Sequence, residues 1–253
     1  MNRPAAGVQF GPTPVDSPEQ EDLPLGSTIR ILSANLWTGA ADPDAFVALA
    51  EELAADVVAV QELSHDQAEA LAAAFPHGRL EPSEDVEGAG VALRRPGEVE
   101  RLALRRRDGF RVALSPADWP ELHAPLEVIG VHLIAPHARF GLGLLRRRPQ
   151  FADLKRHLQA PAPGGRVVVG DFNSTPAWPL YWGMKARMQD AAVAVAERQG
   201  ERPARTWGPW SGAPRLLRID HGFVSGVEAE GFRVVAVPGS DHSAVLLEVG
   251  ATS

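Results

Sequence analysis

The sequence predicts an α+β protein in which helices lie outside packed sheets. Two observations carry this reading. Apolar runs of strand length and amphipathic helical segments are both abundant along the 253 residues. Their alternation, which would build a doubly wound parallel sheet, breaks down after residue 88, where strand follows strand. The length suits one large domain, 45% hydrophobic residues supply a sizeable core, and nothing between the elements reads as a long linker.

Residues 1–27 interleave Pro4, Pro12, Pro14, Pro18 and Pro24 with Glu19, Glu21 and Asp22 and show no hydrophobic period. They read as a flexible leader, which leaves residues 28–253 as one domain. The first strand starts at Thr28 and ends at Ser33-Ala34-Asn35. A helix follows, with Asp42 as its cap, Pro43 at its first position and Asp44 at the positive end of its dipole. Phe46, Leu49, Ala50 and Leu53 form its apolar face. Val57-Val58-Ala59-Val60 is a short buried strand ending in Gln61-Glu62, and Ser64 with Gln67 forms a capping box for a second helix reaching about Phe75.

From Gly88 onward, residues 89–94, 98–104, 110–114 and 126–132 are apolar runs of strand length, the last ending in His132. A helix around 149–159 puts Phe151, Leu154 and Leu158 on one face. The next strand opens VVVGDFNSTP, from Val167 to Pro176: three β-branched residues, then Gly170, Asp171 and Asn173. A Trp-rich connection, a helix near 190–199 and strands near 217–224, 231–237 and 243–249 complete the chain.

Composition narrows the chemistry. A formal net charge of -7 argues against gripping duplex DNA through a broad basic surface, since that mode neutralises many phosphates. It leaves room for local basic patches at Arg94-Arg95, Arg105-Arg106-Arg107 and Arg146-Arg147-Arg148, each of which also reads as a solvated face. The absence of cysteine excludes disulfides, a thiol nucleophile and thiolate metal sites, so any metal must sit on Asp, Glu, Asn or His. No segment approaches the ~20 apolar residues of a membrane span, and the first residues lack the basic and apolar blocks of a signal peptide. The expectation is a cytoplasmic monomer. No G-x-S-x-G elbow, P-loop or G-x-G-x-x-G is present.

What remains is a set of strand ends that finish in metal- or phosphate-binding groups: Asn35, Gln61-Glu62, His132, Asp171-Phe172-Asn173, Asp220-His221 and Asp241-His242. Each alone is ordinary turn chemistry. Together they suit hydrolysis of a phosphate ester. Glu62 and Asp241 offer oxygen to Mg²⁺ or Mn²⁺. Asn amides can donate to a phosphoryl oxygen, and a His oriented by a carboxylate can stabilise charge or move a proton. Phosphoryl transfer depends on alignment and charge stabilisation, so it needs several such groups at once.

In this order the motifs resemble the endonuclease/exonuclease/phosphatase superfamily, the deoxyribonuclease-I-like fold, over about residues 29–249. The GDFN and SDH elements, at Gly170–Asn173 and Ser240–His242, carry the resemblance most specifically. It implies a four-layer α/β/β/α sandwich of two mostly antiparallel sheets, with the site where strand ends of both sheets meet. It further implies Glu62 as principal metal ligand with Asn35 and Asp241 completing or flanking the site. Asp171 would align or deprotonate the attacking water, and Asn173 would hold a phosphate oxygen. His242, oriented by Asp220, would contact the scissile phosphate. His132 would stabilise the transition state or protonate the leaving group.

The Ser-Thr-Pro after Asn173, Thr206-Trp207 and Arg218-Ile-Asp-His221 look most similar to a compact bacterial branch that includes membrane-anchored members. Those members carry membrane helices ahead of the first strand, which this sequence lacks. The implied activity is a metal-dependent phosphodiesterase or nuclease. Its alternatives are a phosphomonoesterase on a small or lipid phosphate and a catalytically idle binding module.

Secondary expectations concern the rim. Trp37 follows Asn35 and can line the mouth; His137 and Arg139 lie in a loop after His132 that can reach substrate. Trp178, Trp182, Trp207 and Trp210 can stack a base or pack as ordinary aromatics. His221 should face away from Asp220 by strand alternation and act structurally. Gly170 should let the backbone pass close to the phosphate.

Overall fold

The computed structural model describes residues 28–105, 107–136 and 143–250. The expected leader, and His137 and Arg139, lie outside the described residues. In the first sheet, β1 (Thr28–Asn35), β2 (Val57–Gln61), β3 (His77–Glu81), β4 (Ala89–Leu93), β11 (Glu228–Ala236) and β12 (Ser243–Gly250) lie in the order β11-β12-β1-β2-β4-β3. The second sheet holds β5 (Glu98–Leu102), β6 (Gly109–Leu114), β7 (Leu126–His132), β8 (Arg166–Asp171), β9 (Gln189–Asp190) and β10 (Asp220–Ser225), in the order β5-β6-β7-β8-β10-β9. Each sheet carries one parallel pair, β1 with β2 and β7 with β8; the other pairings are antiparallel.

The sheets pack face to face, and the period of two along each strand decides what meets in between. Ile29 and Ile31, Val57 and Ala59, Val128, Val167 and Val169, Val224 and Leu247 form the core between the sheets. Their neighbours face outward. Leu32, Ala34, Val58 and Val60 pack with Phe46 and Leu71 from α1 (Pro43–Glu52) and α2 (His65–Ala74). On the other side Ile129, Val131, Val168 and Phe223 pack with Leu154, Tyr181 and Met184 from α3 (Gly143–His157) and α4 (Pro179–Lys185). The result is the expected four-layer sandwich. α5 (Ala191–Gln199) closes the side of the inner core with Ala191 and Val195.

Local signals hold where they rest on capping. The Asp42 side chain accepts from Ala45 N, and Ser64 and Gln67 complete their capping box. Elements without an apolar pattern differ from the sequence reading. β3 is a half-exposed edge strand, HGRLE, that owes its existence to pairing with β4. α4 lies in the Trp-rich connection, where Pro179 starts a short helix burying Tyr181 and Met184. α3 begins at Gly143 rather than near 149 and accommodates Pro149 inside it, at the cost of one backbone hydrogen bond. β10 begins at Asp220, since Leu217 is bridged to Trp207 instead. β11 begins at Glu228, with an irregularity between Ala229 and Gly231 that resets its register.

Candidate active site

The alternation that packs the core also aims the site. Asn35 continues the inward series of β1, His132 that of β7, Asp171 that of β8, and Asp220 that of β10. The two parallel pairs end side by side, with Asn35 opposite Gln61 and His132 opposite Asp171; Asp220 sits opposite Asp171 from the third strand. Four polar groups are thereby delivered to one end of the sandwich, between the sheets. Gly170 contributes differently from the expectation. Its φ is +143°, and a Cβ there would lie 1.9 Å from the Val131 carbonyl oxygen. The glycine permits close approach of β8 to β7 rather than approach to a phosphate.

On one side of the cleft, Asn35 Nδ2 donates to Glu62 Oε1 and to Asp171 Oδ2, both at 3.2 Å, bridging the two carboxylates. Asn35 Oδ1 accepts from Trp37 N at 2.9 Å, and Thr38 Oγ1 donates to Glu62 Oε2 at 2.6 Å. Glu62 and Asn173 both adopt left-handed backbone, φ +55° and +46°. Asn tolerates this conformation; for Glu it is strain of the kind that concentrates at functional sites. Asn173 secures Asp171: its backbone N–H donates to Oδ1 at 2.7 Å and its Nδ2 to Oδ2 at 2.8 Å, while Nδ2 also reaches the Leu133 carbonyl.

On the other side, His242 Nδ1 lies 3.1 and 3.0 Å from the two oxygens of Asp220. The backbone of this pair is held by hydroxyls. Thr206 Oγ1 accepts from the N–H groups of Ile219 and Asp220, and Ser240 Oγ accepts from His242 N while donating to the Asn35 carbonyl. Trp207 Nε1 donates to Asp241 Oδ2 at 2.9 Å. The cleft between the two sides measures about 540 Å³, and its walls include Trp37, Thr38, Trp178 and Trp207.

Residues 32–242 match the sequence profile of the Endonuclease/Exonuclease/phosphatase family. The chain belongs to this family. Solved structures agree on the fold. An endonuclease/exonuclease/phosphatase from Bacteroides vulgatus is 18% identical, with a TM-score of 0.66 over 90% of this chain and 100% of its own. A 3′-5′ exonuclease from Neisseria meningitidis is 19% identical, with a TM-score of 0.67 over 88% and 100%. The catalytic domain of human nocturnin is 20% identical, with a TM-score of 0.62 over 89% and 95%. No curated protein matches the chain in sequence.

Burial and neighbouring charges shift three groups of the cleft. Burial, reinforced by the charge of Asp220, raises the Asp171 carboxyl to about 7. Burial opposes a charge on His242, but the charge and hydrogen bond of Asp220, then Asp171 and Asp241, outweigh it and raise the imidazole to about 9. His132 moves the other way: burial, then the cations of Arg107 and His242, hold it well below the usual histidine value.

The donor set fits a hard divalent cation. Asp241 Oδ1 is buried and has no hydrogen-bond partner among the described residues, and Glu62 lines the same cleft. Asp171, Asp220 and His242 form a second grouping able to hold a metal, each with a donor atom within 4.8 Å of the others.

The structure thus brings together Asn35, Glu62, His132, Asp171, Asn173, Asp220, Asp241 and His242, with Trp37 at the mouth, 38% exposed. His221 faces away, as alternation requires, and bonds through Nε2 to the Ser174 carbonyl at 2.7 Å. His65 stands on the surface near Glu84. Two contributors, Arg107 and Thr38, were not singled out for the site by sequence. Arg107, hidden in a run read as a solvated face, hydrogen-bonds His132 Nε2 inside the cleft. Thr38 supports Glu62, and Trp207, expected as a stacking or packing aromatic, donates to Asp241 instead. Among described residues no helix is long and apolar enough to cross a membrane.

Proposed function

We propose that residues 28–253 act as one domain that hydrolyses phosphodiesters, with Mg²⁺ or Mn²⁺ held by Glu62 and Asp241 and flanked by Asn35. The observation that carries this reading is the juxtaposition of an orphaned Asp241 oxygen and Glu62 with an Asp220–His242 pair, across one cleft. Held by these residues, the ion would supply positive charge against a phosphoryl oxygen and would make a water easier to deprotonate. Asp171, fixed by Asn173 and Asn35, aligns the attacking water. His242 reaches the scissile phosphate with a positive imidazolium. The Asn173 amide is placed to take a phosphoryl oxygen when it exchanges its bond to Leu133. Cleft aromatics offer stacking surface to a base, which favours a nucleic-acid or nucleotide diester.

The test is hydrolysis of a generic phosphodiester and a generic phosphomonoester with Mg²⁺, Mn²⁺ or EDTA. Diester cleavage abolished by EDTA is expected, with losses of at least ~10²-fold for Asp171→Asn and for His242→Ala. Activity surviving either substitution overturns these roles, and faster monoester turnover shifts the reading to a phosphatase. Absence of turnover across nucleic-acid, nucleotide and lipid phosphates leaves a binding module.

A further inference from the structure

Behind the Asp171–Asn173 turn lies a buried cation that makes no direct ion pair among the described residues, although the Asp171 charge favours it against burial. Arg147 comes from the middle of the Arg146–Arg148 run on α3 and is only 4% exposed. Its Nη2 donates to the Phe172 carbonyl at 3.1 Å, and its guanidinium lies 5.3 Å from the centre of the Trp178 ring. Its Nη1 is buried and has no hydrogen-bond partner among the described residues. Buried donors are satisfied with few exceptions, and an unpartnered N–H on a buried guanidinium is a costly one. Arg147 lines a cavity of about 300 Å³ together with Arg148, Phe151, Trp178, Pro179 and Leu180. Trp178 also walls the catalytic cleft, so the two spaces share one ring.

We propose that this cavity is a second phosphate subsite, taking the phosphate adjacent to the scissile one on a single-stranded oligonucleotide; it rests on the diesterase reading above. A guanidinium with one arm pinned by a carbonyl holds its other arm in fixed orientation for a phosphate oxygen. The exposed Arg148 adds a second charge at the entrance. Trp178 stands between the two spaces, where a base joining the two phosphates would stack. The substrate then requires at least two phosphates for full efficiency.

Three dinucleotides test this with the full chain and its cation: TpT, with one phosphate, and its terminally phosphorylated forms pTpT and TpTp. One phosphorylated form is expected to exceed TpT in kcat/KM by ~10–30-fold, chiefly through KM, the scale of one charge-assisted hydrogen bond. That preference should collapse to within ~2-fold of unity in Arg147→Gln and fall by ~3-fold in Arg148→Gln, a surface change that keeps the test open should the first variant fail to fold. Equal kcat/KM on all three substrates in the unaltered protein overturns the subsite and leaves the diesterase reading intact. If TpT itself is not cleaved, calorimetric titration with inorganic phosphate separates the two claims. Binding weakened at least ~5-fold by both Arg substitutions supports the subsite without the hydrolase, and binding indifferent to both removes it.

Discussion

The two histidines of the cleft have similar burial and opposite chemistry. His242 keeps Nδ1 on both oxygens of Asp220, and its imidazole is raised to about 9. His132 takes Arg107 at Nε2 and is held well below the usual histidine value. A guanidinium has no acceptor, so Nε2 of His132 must accept and its proton belongs on Nδ1. One histidine is therefore a cation at neutral pH, and the other is a neutral acceptor that orients a cation. The lesson is that burial pushes both imidazoles toward the neutral form: at His242 the Asp220 carboxylate outweighs it, and at His132 the Arg107 cation adds to it. Under the proposed function, His132 would serve the stabilising half of the sequence expectation, with Arg107 as the charge it orients in the cleft.

Removing the carboxylate from the charged histidine should cost most. Asp220→Asn is expected to lower kcat/KM by ~10²–10³-fold, because it removes the charge that keeps His242 protonated and oriented. NMR titration of the metal-free protein should show the His242 pKa falling from about 9 toward or below 6.5. An unchanged titration would mean that Asp171 and Asp241 suffice. Arg107→Met acts on the opposite histidine and should be milder. A loss of ~10-fold is expected, with the His132 pKa rising only part of the way to its ordinary value, since burial outranks Arg107 among the causes. If Arg107→Met proves as damaging as Asp220→Asn, the two histidines do not differ in this way.

How much of this was legible in the sequence follows from range. Strand interiors, helix caps and the polar strand ends are local patterns, and β1, α1, α2, β7 and β8 appear where those patterns put them. The convergence of Asn35, Glu62, His132, Asp171, Asp220 and His242 was readable from motif order. Their hydrogen bonds were not, because Asn35 to Asp171 spans 136 positions. β3 and α4 were illegible since neighbours, rather than their own periodicity, stabilise them. Arg107 and Arg147 were illegible for a different reason. Each sits in a run of three arginines, and only packing decides which member of a run turns inward.

A third histidine supplies the smallest expected effect on activity and the clearest control. His221 is adjacent to Asp220 in sequence, but its ring packs among Phe172, Tyr181 and Phe223, away from the cleft. Burial, then the Arg218 charge, lowers it to about 4. A folded pKa below the unfolded value of ~6.5 means that the unfolded chain binds the proton first as pH falls. Stability linked to His221 is full above ~6.5 and drains away down to about 4, by on the order of 3 kcal/mol in total. His221→Phe should therefore flatten the acid side of a Tm-versus-pH curve between those limits. It gives up the bond to the Ser174 carbonyl, costing ~1 kcal/mol near neutral pH, and should change kcat/KM by less than ~3-fold. A His221→Phe protein that keeps the full acid slope would assign that slope to other groups. One that loses activity as Asp220→Asn does would place His221 in the reaction and undo the division between the two faces of β10.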